Sequence, residues 1–155
     1  MKCGIIGSEI FKNENMPLLE YAIKYLIANG VTEFLFSGIG EFEKICELLI
    51  RQEKENNNSI KMTLYTSLQI FKNTALDELI DNKQYVTYNV TNFDEIKIST
   101  VDYYPYFHRY DKIIEDSDLF LVDKEENYNP LSRYGLPEYF AYGKVMSEDK
   151  KIVQL

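Results

Sequence analysis

Residues 34–44 read FLFSGIGEFEK. Phe34-Leu35-Phe36 is an unbroken apolar run of the kind that forms a buried strand. Ser37-Gly38-Ile39-Gly40 then removes side-chain bulk at two positions. From Glu41 the spacing becomes helical, and Phe42, Ile45, Cys46, Leu48 and Leu49 are read as the inner face. A strand handed to a helix through a short glycine turn is the building unit of a parallel α/β sheet. Glycine accepts positive φ and lets a ligand lie against bare amides, and a helix start offers free N–H groups to an anion. The same residues also fit a plain tight turn with capping acids. Glu41 and Glu43 suit the helix dipole, yet they repel a phosphate laid directly on the turn.

Working outward, the N-terminal run KCGIIG at 2–7 repeats the theme: a short apolar strand ending in glycine. Leu18, Leu19, Ala22, Ile23, Leu26 and Ile27 follow at helical spacing, with Asn15 as N-cap, Pro17 in the first turn and Asn29-Gly30 as the stop. Residues 60–66, IKMTLYT, form a third strand. The order β-α-β-α-β, with connections too long for hairpins, predicts parallel strands joined by right-handed crossovers. Further along, 74–82 reads as a short helix and 84–90 as a strand, while 93–99 fits either a short strand or an extended loop. The segment 103–116 begins extended and becomes helical. DLFLV at 118–122 is a buried strand, Tyr134 to about Val145 a helix, and KKIVQL a last strand. One α/β domain over residues 1–155 is expected, with a mostly parallel sheet of five or six strands and helices on both faces.

Composition narrows the function classes. The 155 residues suffice for one compact core. A net charge of −8 argues against nucleic acid as the main partner, because phosphate neutralisation needs a basic surface. Cys3 and Cys46 sit in apolar runs and read as buried free thiols in a reducing compartment. With a single histidine, no metal site is expected. The N-terminus lacks the pattern of a signal peptide and no apolar run is long enough for a membrane span, so a cytoplasmic location is expected. No cofactor is indicated.

In an open parallel sheet, ligands bind beyond the C-terminal ends of the strands. The groups expected there are Gly7-Ser8-Glu9, Ser37 to Glu43, Thr66-Ser67 and Asp123 to Ser132. Gly7, Ser8, Ser37, Gly38, Gly40 and Ser132 are the candidates for a backbone cradle. Arg109 suits a bidentate contact to phosphate or carboxylate, or a surface pair with an acid such as Asp111. His108 fits either an acid–base group or a packing residue, and Tyr103, Tyr104, Tyr106 and Phe107 fit either base stacking or a half-buried loop. Glu41 and Glu43 are the catalytic candidates: a carboxylate held against a sugar can attack or protonate a glycosidic bond. A solvated or capping role is the competing reading.

Three blocks together resemble the SLOG superfamily, the Rossmann-like group that includes the DNA-processing protein A and LOG-type proteins. They are CGIIGS, FLFSGIGEFEKICELLI and RYDKIIEDSDLFLV. The likeness is greatest to its small stand-alone bacterial and phage members of uncharacterised function. In this resemblance Gly38 matches a pocket glycine, Glu43 stands where an acid is usual, and Arg109 takes the arginine place. The sequence departs from the family at Glu41, where a glycine is usual, and at Tyr110, where an asparagine is usual. It also departs at NPLSRYGLPEYFAYG, which replaces a late phosphate loop and keeps only Ser132 and Gly135 as small residues. The glycine-rich motif of the LOG hydrolases is missing. The resemblance therefore implies a nucleotide-like small-molecule ligand, bound by a sensor or sequestering module. The alternatives are cleavage or transfer at the N-glycosidic bond of a nucleoside or its monophosphate, and a degenerate fold used for protein–protein contact. SLOG-like domains often pair through helices beside the pocket, which leaves a homodimer open.

Overall fold

The computed structural model describes residues 1–7, 11–67, 90–99, 110–123 and 136–155. Its strands are β1 (Lys2–Gly7), β2 (Glu33–Phe36), β3 (Lys61–Ser67), β4 (Glu95–Ser99), β5 (Leu119–Asp123) and β6 (Lys151–Gln154). Its helices are α1 (Met16–Ala28), α2 (Glu41–Asn56), α3 (Asp111–Asp116) and α4 (Leu136–Ser147), with 3-10 turns at Asn13–Asn15 and Val90–Asn92. The six strands make one sheet in the order β4-β3-β2-β1-β5-β6, and every pairing is parallel. The fold is α/β and Rossmann-like, as the strand–helix alternation predicts. The helix expected at 74–82 and most of the strand expected at 84–90 lie outside the described residues.

Side-chain alternation explains the layering. Cys3 and Ile5 of β1, Phe34 and Phe36 of β2, Met62 and Leu64 of β3, and Leu119 and Leu121 of β5 point to one face. There they meet Leu19, Ala22, Ile23 and Leu26 of α1 and Phe42, Cys46 and Ile50 of α2. Ile6, Leu35, Tyr65, Phe120 and Val122 point the other way, against Ile113 and Ile114 of α3 and Ala141 and Val145 of α4. Both faces of the central strands are buried, so their sequences read as continuous apolar runs. Each fully buried Phe, Leu or Ile contributes about 1.5–3 kcal/mol of burial. The approach of α3 to β1 needs Gly4: a Cβ there would lie 2.5 Å from Ser117 Oγ and 3.0 Å from Ile113 Cγ2.

Of the two readings of 93–99 the strand holds: it carries β4, whose backbone pairs Thr63 with Glu95 and Ser67 with Ser99. Three other local expectations are corrected. Asn15 precedes α1 but makes no side-chain cap bond, because it ends a 3-10 turn in helical conformation. The buried residues of α2 are Phe42, Glu43, Cys46, Glu47 and Ile50, while Leu48 is exposed. Leu18 of α1 likewise faces outward. Two acids thus occupy core-facing positions of α2, which is possible only because both are hydrogen-bonded.

Candidate functional site

The parallel order puts the C-terminal ends of all six strands on one edge. Strand order reverses at β1, whose neighbours are β2 on one side and β5 on the other. At that reversal Gly7 pairs with Asp123. This is where open α/β sheets hold their ligands.

Next to it runs the turn from β2 into α2. Gly38 has φ 79° and Gly40 has φ 102° with ψ 153°. The second conformation is open essentially to glycine alone. The turn is closed by a side chain of the following helix. One Glu43 carboxylate oxygen accepts the Ser37 N–H at 3.1 Å and the Ser37 hydroxyl at 2.9 Å. The other accepts the N–H of Gly38 at 2.6 Å and of Ile39 at 3.1 Å. Glu43 is 2% exposed. A carboxylate removed from water is tolerated when hydrogen bonds replace its hydration, and here four donors do so. The arrangement extends the capping box, in which an acid at the third helical position reaches back to a backbone N–H before the helix.

Glu41, two residues earlier, is exposed, and its carboxylate accepts the N–H of Phe11 at 2.8 Å. It thereby ties the chain after β1 to the start of α2. The Phe11 and Phe42 rings reinforce that tie, with centroids 5.9 Å apart. The Phe42 ring also explains Gly7: a Cβ on Gly7 would lie 2.0 Å from Phe42 Cδ1. On the other side of the sheet the buried Tyr110 hydroxyl donates to the Gly7 carbonyl at 3.4 Å. Gly7, Ser37, Gly38, Gly40, Glu41 and Glu43 therefore stand together at one edge. Ser8, Arg109 and Ser132 lie outside the described residues, as do Glu9, His108 and the aromatic run 103–107.

A shallow dent with room for about one water molecule lies beside this turn, lined by Phe36, Gly38, Gly40, Glu43, Lys44, Glu47 and Phe93. The sequence reading missed Glu47. Its carboxylate is 2% exposed and receives Asn92 Nδ2 at 2.7 Å, with Lys44 Nζ at 3.3 Å and Arg51 Nη1 at 3.7 Å. Spacing held the signal: Glu43 and Glu47 are four apart, as are Phe42 and Cys46, and the two pairs interleave on one helical stripe.

Both cysteines are free and buried. Burial pushes the Cys3 thiol up to about 12. Burial raises the Cys46 thiol well above its ordinary value too, and nearby Glu43 adds to the effect. Neither has the lowered pKa of a nucleophilic cysteine. Among the described residues no three His, Cys, Asp or Glu side chains are grouped to hold a metal. No helix among them is long and apolar enough to cross a membrane.

Compared with known proteins, the chain matches no family model and no curated protein.

Proposed function

We infer that the chain binds a nucleotide or nucleotide-derived small molecule at the carboxyl edge of its sheet, acting as a sensor or sequestering module of SLOG-like type. The observation that carries this reading is the reversal of strand order at β1. It sets Gly7 and Asp123 side by side with the locked β2–α2 turn next to them. In this reading Glu43 acts from behind the loop. It holds the amides of Ser37, Gly38 and Ile39, so those groups shape the wall of the pocket and do not bind the ligand's phosphate. The phosphate-binding role stays with Arg109. In this reading Asp123, half-buried at the end of β5, contributes an acceptor for a sugar hydroxyl or a base N–H.

The N-glycosidic hydrolase reading draws less support. It needs a carboxylate turned toward substrate, whereas Glu43 is enclosed by the turn and Glu41 is bonded to the Phe11 N–H. Native mass spectrometry of freshly purified protein, followed by thermal shifts against a nucleotide panel, tests the binding reading. A ligand at a hundredfold excess over its Kd stabilises the fold by about 2.7 kcal/mol. Arg109→Ala should remove that gain. No retained ligand and no shift with any nucleotide would overturn the reading. Release of free base from nucleoside monophosphates, abolished by Glu43→Gln without loss of fold, would promote the hydrolase instead.

A further inference from the structure

Asn29-Gly30 is the one Asn-Gly pair in the sequence, and both residues are exposed at the end of α1. The pair carries its own chemistry. The backbone nitrogen of a residue can attack the side-chain carbonyl carbon of an asparagine just before it, and glycine puts no Cβ in the way. The site is open on its outer side: among the described residues, a Cβ on Gly30 would meet only Met1 Cε, at 3.7 Å. Inside the turn, both reacting groups are held. The nucleophile, the Gly30 N–H, donates to the Ile27 carbonyl at 3.1 Å. The leaving group, Asn29 Nδ2, donates to the Tyr25 carbonyl at 2.8 Å. The Asn29 backbone has ψ 17°, which sets the Gly30 nitrogen beside Asn29's own amide nitrogen and away from its Cβ. Closing a ring between that nitrogen and Cγ needs the opposite.

We propose that Asn29-Gly30 is a site of spontaneous deamidation, gated by the C-terminal turn of α1. With the turn closed the pair is inert, and each opening exposes it. In the open turn the Gly30 nitrogen bonds to Asn29 Cγ and the Cγ–Nδ2 bond breaks. Nδ2 leaves as ammonia, taking the proton that the Gly30 nitrogen gives up. The five-membered succinimide then adds one water. Cleavage at Cγ gives aspartate at position 29. Cleavage at the backbone carbonyl gives isoaspartate, with the chain rerouted through Cβ and Cγ. Nothing is oxidised or reduced, and water is the one co-reactant. Either product puts a carboxylate where α1 ends. It has no proton to donate to the Tyr25 carbonyl, and it meets the negative end of the helix dipole. Isoaspartate also lengthens the main chain by one atom inside the turn, so the bonds from Gly30 to Ile27 and from Val31 to Leu26 lose their register. Openings at helix ends cost far less than global unfolding, which lets the reaction proceed in the folded protein. The change accumulates, so the modified fraction records how often this turn has opened.

Peptide mapping by mass spectrometry, with isoaspartate resolved by chromatography, tests the proposal on the full chain kept at mildly alkaline pH. Conversion at Asn29 is expected both in native buffer and in unfolding urea, slower by about tenfold or more in the native buffer. In urea Asn29 should outpace Asn57, which is also exposed in the folded chain but precedes Asn58. Across subdenaturing urea, the rate at Asn29 should rise in step with hydrogen exchange at the Gly30 amide. Val31→Ala trims the buried side chain that follows the turn. It should speed native conversion and leave the rate in unfolding urea unchanged. Equal rates in native buffer and in unfolding urea would overturn the gating. So would native protein that never converts at Asn29, or conversion that does not follow Gly30 exchange across the urea series. A Val31→Ala protein with a wild-type circular dichroism spectrum and the wild-type native rate counts against it equally.

Discussion

Two turns of this molecule look alike in sequence and are closed by different means. Asn29-Gly30 ends α1 with Gly30 at φ 94°. Backbone does most of the closing: Gly30 N–H donates to Ile27 and Val31 N–H to Leu26, both at 3.1 Å, and the Asn29 side chain adds a bond from Nδ2 to the Tyr25 carbonyl at 2.8 Å. That is the Schellman arrangement, and the buried Leu26 and Val31 are its usual hydrophobic companions. The turn at Gly38-Ile39-Gly40 also has glycines at positive φ, but a buried carboxylate closes it. The first turn depends mainly on what the backbone can do anywhere. The second depends on one side chain, and a single substitution can open it.

The largest effect is expected from Glu43→Ala. It leaves the N–H groups of Ser37, Gly38 and Ile39 and the Ser37 hydroxyl without their acceptor in a buried place, at a cost of about 3–5 kcal/mol. Urea denaturation, read from the midpoint at constant slope, measures it. A loss below about 1 kcal/mol would mean the turn closes itself, as the one at Gly30 does. Glu43→Gln keeps the shape but offers only one accepting oxygen, so an intermediate loss is expected on the same assay. Gly40→Ala forces a side chain into a glycine-only conformation and should cost about 1–3 kcal/mol. Gly30→Ala should cost about 1 kcal/mol, since only the backbone conformation is strained. A Cβ there meets nothing closer than Met1 Cε at 3.7 Å. If Gly30→Ala proves worse than Gly40→Ala, the contrast is wrong. The smallest effect is expected at Glu41. Glu41→Gln keeps an acceptor for the Phe11 N–H, and a loss of about 0.5 kcal/mol is expected, with faster hydrogen exchange at that amide as the sharper readout.

Much of this fold was legible because its central strands are buried on both faces. Runs such as GII and FLF have no other stable use in a chain of this charge. β4 was ambiguous for the opposite reason. EIKIS is a half-exposed edge strand, and its pairing partner lies 32 residues away, at Thr63. In α2 the apolar count misled: Leu48 looked like core and Glu43 like a solvated cap. Hydrophobicity ranks acids as outward-facing, and it cannot register the donors that the preceding turn supplies. The exposed half of α1 was hidden by a related error. Leu18 and Leu19 both fit the core stripe by spacing, and only packing shows that Leu19 is buried and Leu18 is not.

The carboxylate of Glu43 also has a bearing on solution conditions. It is tethered to the groups it binds, so its effective concentration at the turn is set by a chain of a few residues and is independent of dilution. Free inorganic phosphate, oxyanion metabolites and buffer anions must all compete with a resident that cannot diffuse away. The turn is therefore insulated from the ionic composition around it. The amides of Ser37, Gly38 and Ile39 are thereby kept from any anion that reaches the carboxyl edge of the sheet.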